Sequence, residues 1–117
     1  MILDSTIRLE AVLAGAVAAN QPEVHVYYMI WNNEGMPTRP EPYRVPLNST
    51  TDVIILTAPV PQGFSKEVLG IHIYNKDTAN VVVTVKTDDG TTERIIIQRT
   101  LPTLSMLEYN KYHGWRV

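Results

Sequence analysis

Three histidines, twelve acidic residues and a scatter of serines are the side chains of this 117-residue chain most suited to catalysis or ion binding. His25, His72 and His113 stand far apart, and no HxH or HxxxH pair occurs. A metal site would need them to converge beside a carboxylate, so the expectation is three separate imidazoles and no metal. Asp77, Asp88 and Asp89 fall in KDTAN and TDDGT, segments too short to wrap a calcium ion; Asx turns account for them. Glu10, Glu67, Glu93 and Glu108 lie on or beside strand-like runs at outward-looking positions. None is set apart as half of the carboxylate pair that glycoside hydrolysis demands. No serine has a nucleophile-elbow context, and no glycine-rich phosphate loop is present. The expectation is a non-enzyme with no catalytic residue, no cofactor and no metal ligand.

The aromatic residues carry more information. Tyrosine and tryptophan join apolar area to a polar tip, which suits interfaces and also sugar stacking. Tyr27, Trp31 and Tyr43 are assigned to an interface, Tyr109 and Trp115 to the core. With Met29, Met36, Arg39 and Arg44 the first three make up the candidate protein-binding set.

These residues must be positioned by strands. Thr6–Val12 alternates, with Ile7, Leu9 and Ala11 on one face and Arg8 and Glu10 on the other, and a strand is read through about Leu13, before Gly15 interrupts the run. A short helix is the alternative there. Glu23–Trp31 (EVHVYYMIW) is rich in β-branched and aromatic residues and apolar on both faces. Such a strand is covered on both sides or meets a partner with its outer face. Residues 32–51 hold Pro37, Pro40, Pro42 and Pro46 and read as an irregular arm without a regular ladder. Asn48-Ser49-Thr50 matches a glycosylation acceptor and is read as a turn.

Asp52–Ala58 reads as a buried strand, and PVPQGFS as a loop. Val68–Tyr74 places Leu69, Ile71 and Ile73 on one face. Val81, Val83 and Val85 repeat the pattern, Asp88-Asp89-Gly90 closes a hairpin, and Ile95 and Ile97 share one face of the next strand. Leu104, Leu107 and Tyr109 form another strand, and Trp115–Val117 the last. About eight strands of ordinary length result. The expected fold is all-β: an antiparallel β-sandwich, jelly-roll-like, with an immunoglobulin-like sandwich as second choice.

Size and composition fit one domain over residues 1–117, and a 44% hydrophobic content is enough for a packed core. Ten basic against twelve acidic residues give a net charge of −2. That balance disfavours nucleic acid and anionic membrane surfaces as partners. The absence of cysteine excludes disulfides and thiolate zinc sites, and leans toward an intracellular origin or a fold held by oligomerisation. Ala11–Ala19 has the look of a signal-peptide apolar region, but Asp4 and Glu10 outweigh Arg8 before it, and the run is too short to span a bilayer.

The cadence IYNKDTANVVVTVKTDDGTTERIII, then LEYNKYHGWRV, together with the opening MILDSTIRLEAVLAGAV, resembles small structural proteins of tailed bacteriophages. The resemblance covers residues 1–26 and 69–117, fades through the proline-rich middle, and rests on turns and strands. It implies a virion component made in the bacterial cytoplasm. Within that class, small β-rich proteins of this size serve as capsid cement or decoration proteins on the capsid exterior. The implied partners are the major capsid protein and the protein itself, as homodimer or homotrimer. A tail, neck or fibre-associated component, or a carbohydrate- or receptor-binding β-sandwich, is the alternative.

Overall fold

The computed structural model describes residues 1–48, 50–59 and 63–117. Among them lie ten strands: β1 (Ile2–Leu3), β2 (Arg8–Leu13), β3 (Glu23–Trp31), β4 (Glu41–Pro46), β5 (Val53–Leu56), β6 (Ser65–Tyr74), β7 (Val81–Asp88), β8 (Glu93–Leu101), β9 (Met106–Asn110) and β10 (Gly114–Arg116). The described residues contain no helix, so none is long and apolar enough to cross a membrane.

Two antiparallel sheets form. One runs β10-β9-β6-β3-β4, with β1 paired to the start of β6; the other runs β5-β2-β7-β8. Their facing sides share one hydrophobic core. Leu9, Ala11, Leu13, Val81, Val83 and Val85 come from the smaller sheet, and Val24, Val26, Ile71, Ile73 and Leu107 from the larger. Period-two alternation on β2, β3 and β7 gives each sheet one apolar face, and burying the two faces against each other is the main stabilising term. Tyr109 joins this core, with the Trp115 ring 5.0 Å away on the neighbouring strand, as their sequence context predicts.

Ten strands replace the expected eight; β1 and β4 are the additions. β4 corrects the reading of residues 32–51 as an irregular arm. Leu47 N–H donates to Pro22 O, and the register pairs Val45 with Val24 and Tyr43 with Val26. Odd-numbered amides of this strand therefore face β3. Pro42 and Pro46 sit at even positions, with their nitrogens toward the open edge of the sheet, where no ladder bond is lost. Residues 32–40 turn back as an ordered loop: Asn32 Oδ1 accepts from the amides of Glu34 and Met36, and Thr38 N–H donates to Ile30 O.

Two bulges correct the expected faces. On β6, Tyr27 pairs with Gly70 but Tyr28 with Val68, so Leu69 is the extra residue. Val68 is buried in its place, and Leu69 does not continue the face of Ile71 and Ile73. On β8, Val85 pairs with Ile97 but Lys86 with Ile95, which leaves Ile96 as the extra residue. Ile97 is buried, while Ile95 lies on the outer side and is 68% exposed. Leu104 likewise leaves the strand assigned to it and occupies a turn at φ 62°. The hairpin at Asp88-Asp89-Gly90 forms as read, with Gly90 at φ 95°. Val60–Gln62 of the PVPQGFS loop, and Ser49 of the acceptor triplet, lie outside the described residues.

One buried polar network ties three loops together. Asn75 is fully buried; its Nδ2 donates to Ala79 O and Leu101 O, and its Oδ1 accepts from Asp77 N–H. The Asp77 carboxylate accepts four backbone N–H bonds, from Ala18, Ala19, Asn20 and Thr78. Thr103 Oγ1 donates to Asp77 O. Asp77 thus does more than an Asx turn: it joins the β2–β3 loop to the β6–β7 turn, which itself holds the β8–β9 turn. The amides of Asn20 and Ala18, followed by those of Ala19 and Thr78, hold its carboxyl down at about 2, against a usual 3.8.

A carboxylate with a depressed folded pKa contributes stability that is present above the unfolded value and lost as pH falls through the folded one. The expected result is a progressive loss of stability between about pH 4 and pH 2 that Asp77→Asn removes from the profile. Urea melts of both proteins across that window check it; parallel acid losses in the two would refute it.

Candidate functional site

The outer face of the larger sheet gathers the groups with binding chemistry. Cross-strand register lays Arg116, Glu108, His72, His25 and Arg44 in one row across five strands. A second row holds Met106, Tyr74, Glu23 and Pro46, and Tyr27 stands beside the first row opposite Gly70. Tyr27 packs edge-on to His72, with ring centroids 6.1 Å apart. Arg116 Nη2 lies 2.7 Å from Glu108, and His72 Nε2 lies 3.7 Å from the same carboxylate. Lys76 pairs with Glu23 at the margin. Glu23, His25, His72, Tyr74 and Met106 line a shallow hollow of about 250 Å³. Half-exposed tyrosine, histidine and methionine stand at the centre of this surface, with ion pairs around them.

Further along the same face the Trp31 indole N–H donates to Glu67 Oε2 at 3.0 Å, and Lys111 Nζ donates to Glu67 Oε1 at 2.7 Å. The Lys111 ammonium, then the Trp31 N–H, hold the Glu67 carboxyl below the usual carboxylate range. Lys111 also lies over the Tyr112 ring, 5.1 Å from its centroid.

The candidate set read from the sequence does not come together as one patch. Tyr27, Met29, Trp31 and Arg44 share the outer face by register, with Trp31 half-buried and tied to Glu67. Tyr43 opposes Val26 and so belongs to the other side of the sheet, at its edge, where it is 41% exposed. Met36 and Arg39 lie in the loop beyond the strands, both exposed. His25, His72, Tyr74, Met106 and Arg116 belong to the outer face and were missed. Each looks unremarkable in its own strand, and only the pairing of β3, β6, β9 and β10 aligns them. His25 and His72 are cross-strand partners, which corrects the expectation of three separate imidazoles, while His113 sits apart in the β9–β10 turn.

The outer face of the smaller sheet is the other charged region. Arg8 bonds both Glu10 and Asp88, and Lys86 bonds Asp52 and Glu93. Glu10 lies on this outer face, the outward-looking side read for it, but it is buried there, enclosed by its neighbours on β5 and β7. A second hollow, of about 280 Å³, is lined by Leu13–Ala16 and Asn80–Val82, with no titratable side chain.

Comparison with family models, with curated proteins and with solved structures returned no match.

Proposed function

We propose that this protein is a structural component of a tailed-bacteriophage particle, a cement or decoration protein that docks on the assembled shell and bridges major capsid subunits. The supporting observation is the outer face of the larger sheet: a rigid five-strand surface with Tyr27, Tyr74, His25, His72 and Met106 at its centre and Arg44, Arg116 and Glu108 around them. The adjoining loop at residues 32–40, with Met36 exposed at 61%, offers a second contact. Two modest contacts on one rigid body raise each other's effective concentration and sum to firm attachment. Binding the assembled shell in preference to free subunits stabilises it by mass action.

Self-association into a dimer or trimer is part of the same proposal. Strand addition at β4 is blocked by Pro42 and Pro46, so a second copy would meet the outer face of β3 instead. The jelly-roll-like form of the sandwich belongs here too. Its support is that most connections pass from one sheet to the other; the β3–β4, β7–β8 and β9–β10 hairpins stay within one sheet, as in an immunoglobulin-like alternative. A sugar-binding reading draws on the 250 Å³ hollow, but Trp31 and Trp115 are half-buried against Glu67 and Tyr109 and offer no open platform.

Copy number and position in purified particles test the proposal. Hundreds of copies on the shell are expected; a handful at one vertex would reassign the protein to the tail or neck. Tyr27→Asp with Tyr74→Asp should weaken shell binding at least about tenfold while the melting curve holds. Unchanged binding would remove this face from the interface.

A further inference from the structure

We propose that Glu10, Asp52 and Glu93 form a site for a divalent, oxygen-preferring cation, Ca²⁺, on the outer face of the smaller sheet. The three carboxylates come from β2, from the residue before β5 and from the first residue of β8; β2 and β8 flank β7, and β5 lies beyond β2 in the order β5-β2-β7-β8. One oxygen from each lies within 4.8 Å of the other two. That span suits a single ion, because oxygens on opposite sides of Ca²⁺ stand about twice the 2.3–2.6 Å ligand distance apart. Neither imidazole nor thiolate is in the set, so a hard cation is the match.

A second, independent observation points to a ligand. Glu10 is 2% exposed; its Oε1 accepts from Arg8 Nε, but its Oε2 has no hydrogen-bond partner among the described residues. A buried carboxylate oxygen without a partner is costly, and such exceptions call for an occupant. Charge favours a cation as well: Glu10, Asp52, Asp88 and Glu93 bring four carboxylates to this face, and with Lys86 swung out Arg8 alone opposes them, an excess of negative charge that a divalent ion offsets. Lys86 Nζ now bridges Asp52 at 2.9 Å and Glu93 at 3.0 Å, a monovalent occupant that bonds only two of the three acids. Its flexible four-carbon stem lets the ammonium swing outward when a stronger cation arrives. Competition from Lys86 places the affinity on the order of 10⁻⁴–10⁻³ M.

The site is independent of the virion reading. Calorimetric titration of the full chain with CaCl₂ at constant ionic strength tests it. The expected result is saturable binding by the natural protein within that range. Lys86→Met should tighten it about tenfold or more, since the competing charge is gone. Asp52→Asn with Glu93→Gln should abolish it; both side chains are substantially exposed, so the fold survives. Glu10→Gln should weaken it, with the melting curve as the check on folding. No saturable binding up to about 10 mM Ca²⁺, well above the expected range, overturns the proposal. So does undiminished binding by the Asp52→Asn, Glu93→Gln protein, or no tightening in Lys86→Met. Equal affinity for MgCl₂ overturns the choice of calcium.

Discussion

Asn75→Ala should lower the unfolding free energy by about 3 kcal/mol, one of the two largest single-residue effects expected in this protein. The substitution removes three hydrogen bonds at 2.9–3.0 Å: Nδ2 to Ala79 O, which is part-buried, and Nδ2 to Leu101 O and Asp77 N–H to Oδ1, which are buried. Each bond contributes about 1 kcal/mol net, and a partner left buried without a replacement adds to the loss. The damage spreads because Asp77 in turn holds the loop at Ala18–Asn20 and Thr103. The melting temperature should fall by roughly 10–15 °C, given several degrees per kcal/mol for a domain of this size. Asn110→Ala is the control. Its Oδ1 accepts from Tyr112 N–H at an exposed turn, and its loss should cost less than about 1 kcal/mol. A loss below about 1 kcal/mol for Asn75→Ala would mean that the network is not a stabilising unit.

The second large effect tests the bulge on β6. Ile71→Ala should cost about 3–4 kcal/mol, because Ile71 is fully buried between Val26 and Tyr109 in the sheet and its removal leaves a cavity. Val68→Ala should cost about 2 kcal/mol, for its side chain is also fully buried. Leu69→Ala should cost about 1 kcal/mol or less, since its side chain is half-exposed and removal leaves no closed cavity. Strict alternation would rank the residues differently, with Leu69 as costly as Ile71 and Val68 near neutral. Denaturant melts of the three variants separate the two orders. A Leu69→Ala loss equal to that of Ile71→Ala would show that the strand runs without a bulge.

The Asn75–Asp77 network also gives a physical reason for part of the YN-D-A cadence on which the phage resemblance rests. Asn75 and Asp77 stand two apart because one side chain accepts from the other's amide while both reach into neighbouring loops. A turn motif of this sort speaks for a loop arrangement.

Side-chain chemistry along the chain was enough to determine that it builds sheets: β-branched runs, period-two alternation, and hairpin turns at Asp88–Gly90 and Asn110–Gly114 are local features. Local chemistry also placed Tyr109 and Trp115 inward. The proline-rich stretch misled because proline bars a strand only where its nitrogen faces a neighbour. Which way Pro42 and Pro46 face depends on the register with β3. The bulges at Leu69 and Ile96 are equally invisible along one strand, since a bulge is a mismatch between two. Only the tertiary structure set His25 beside His72 and brought Glu10, Asp52 and Glu93 within reach of one ion. These residues stand 41 to 83 positions apart in the chain and lie on or beside strands whose neighbours are fixed by packing. Alternation tells each strand which side to bury; the choice of partner strand, and with it every site that spans strands, comes from the shared core.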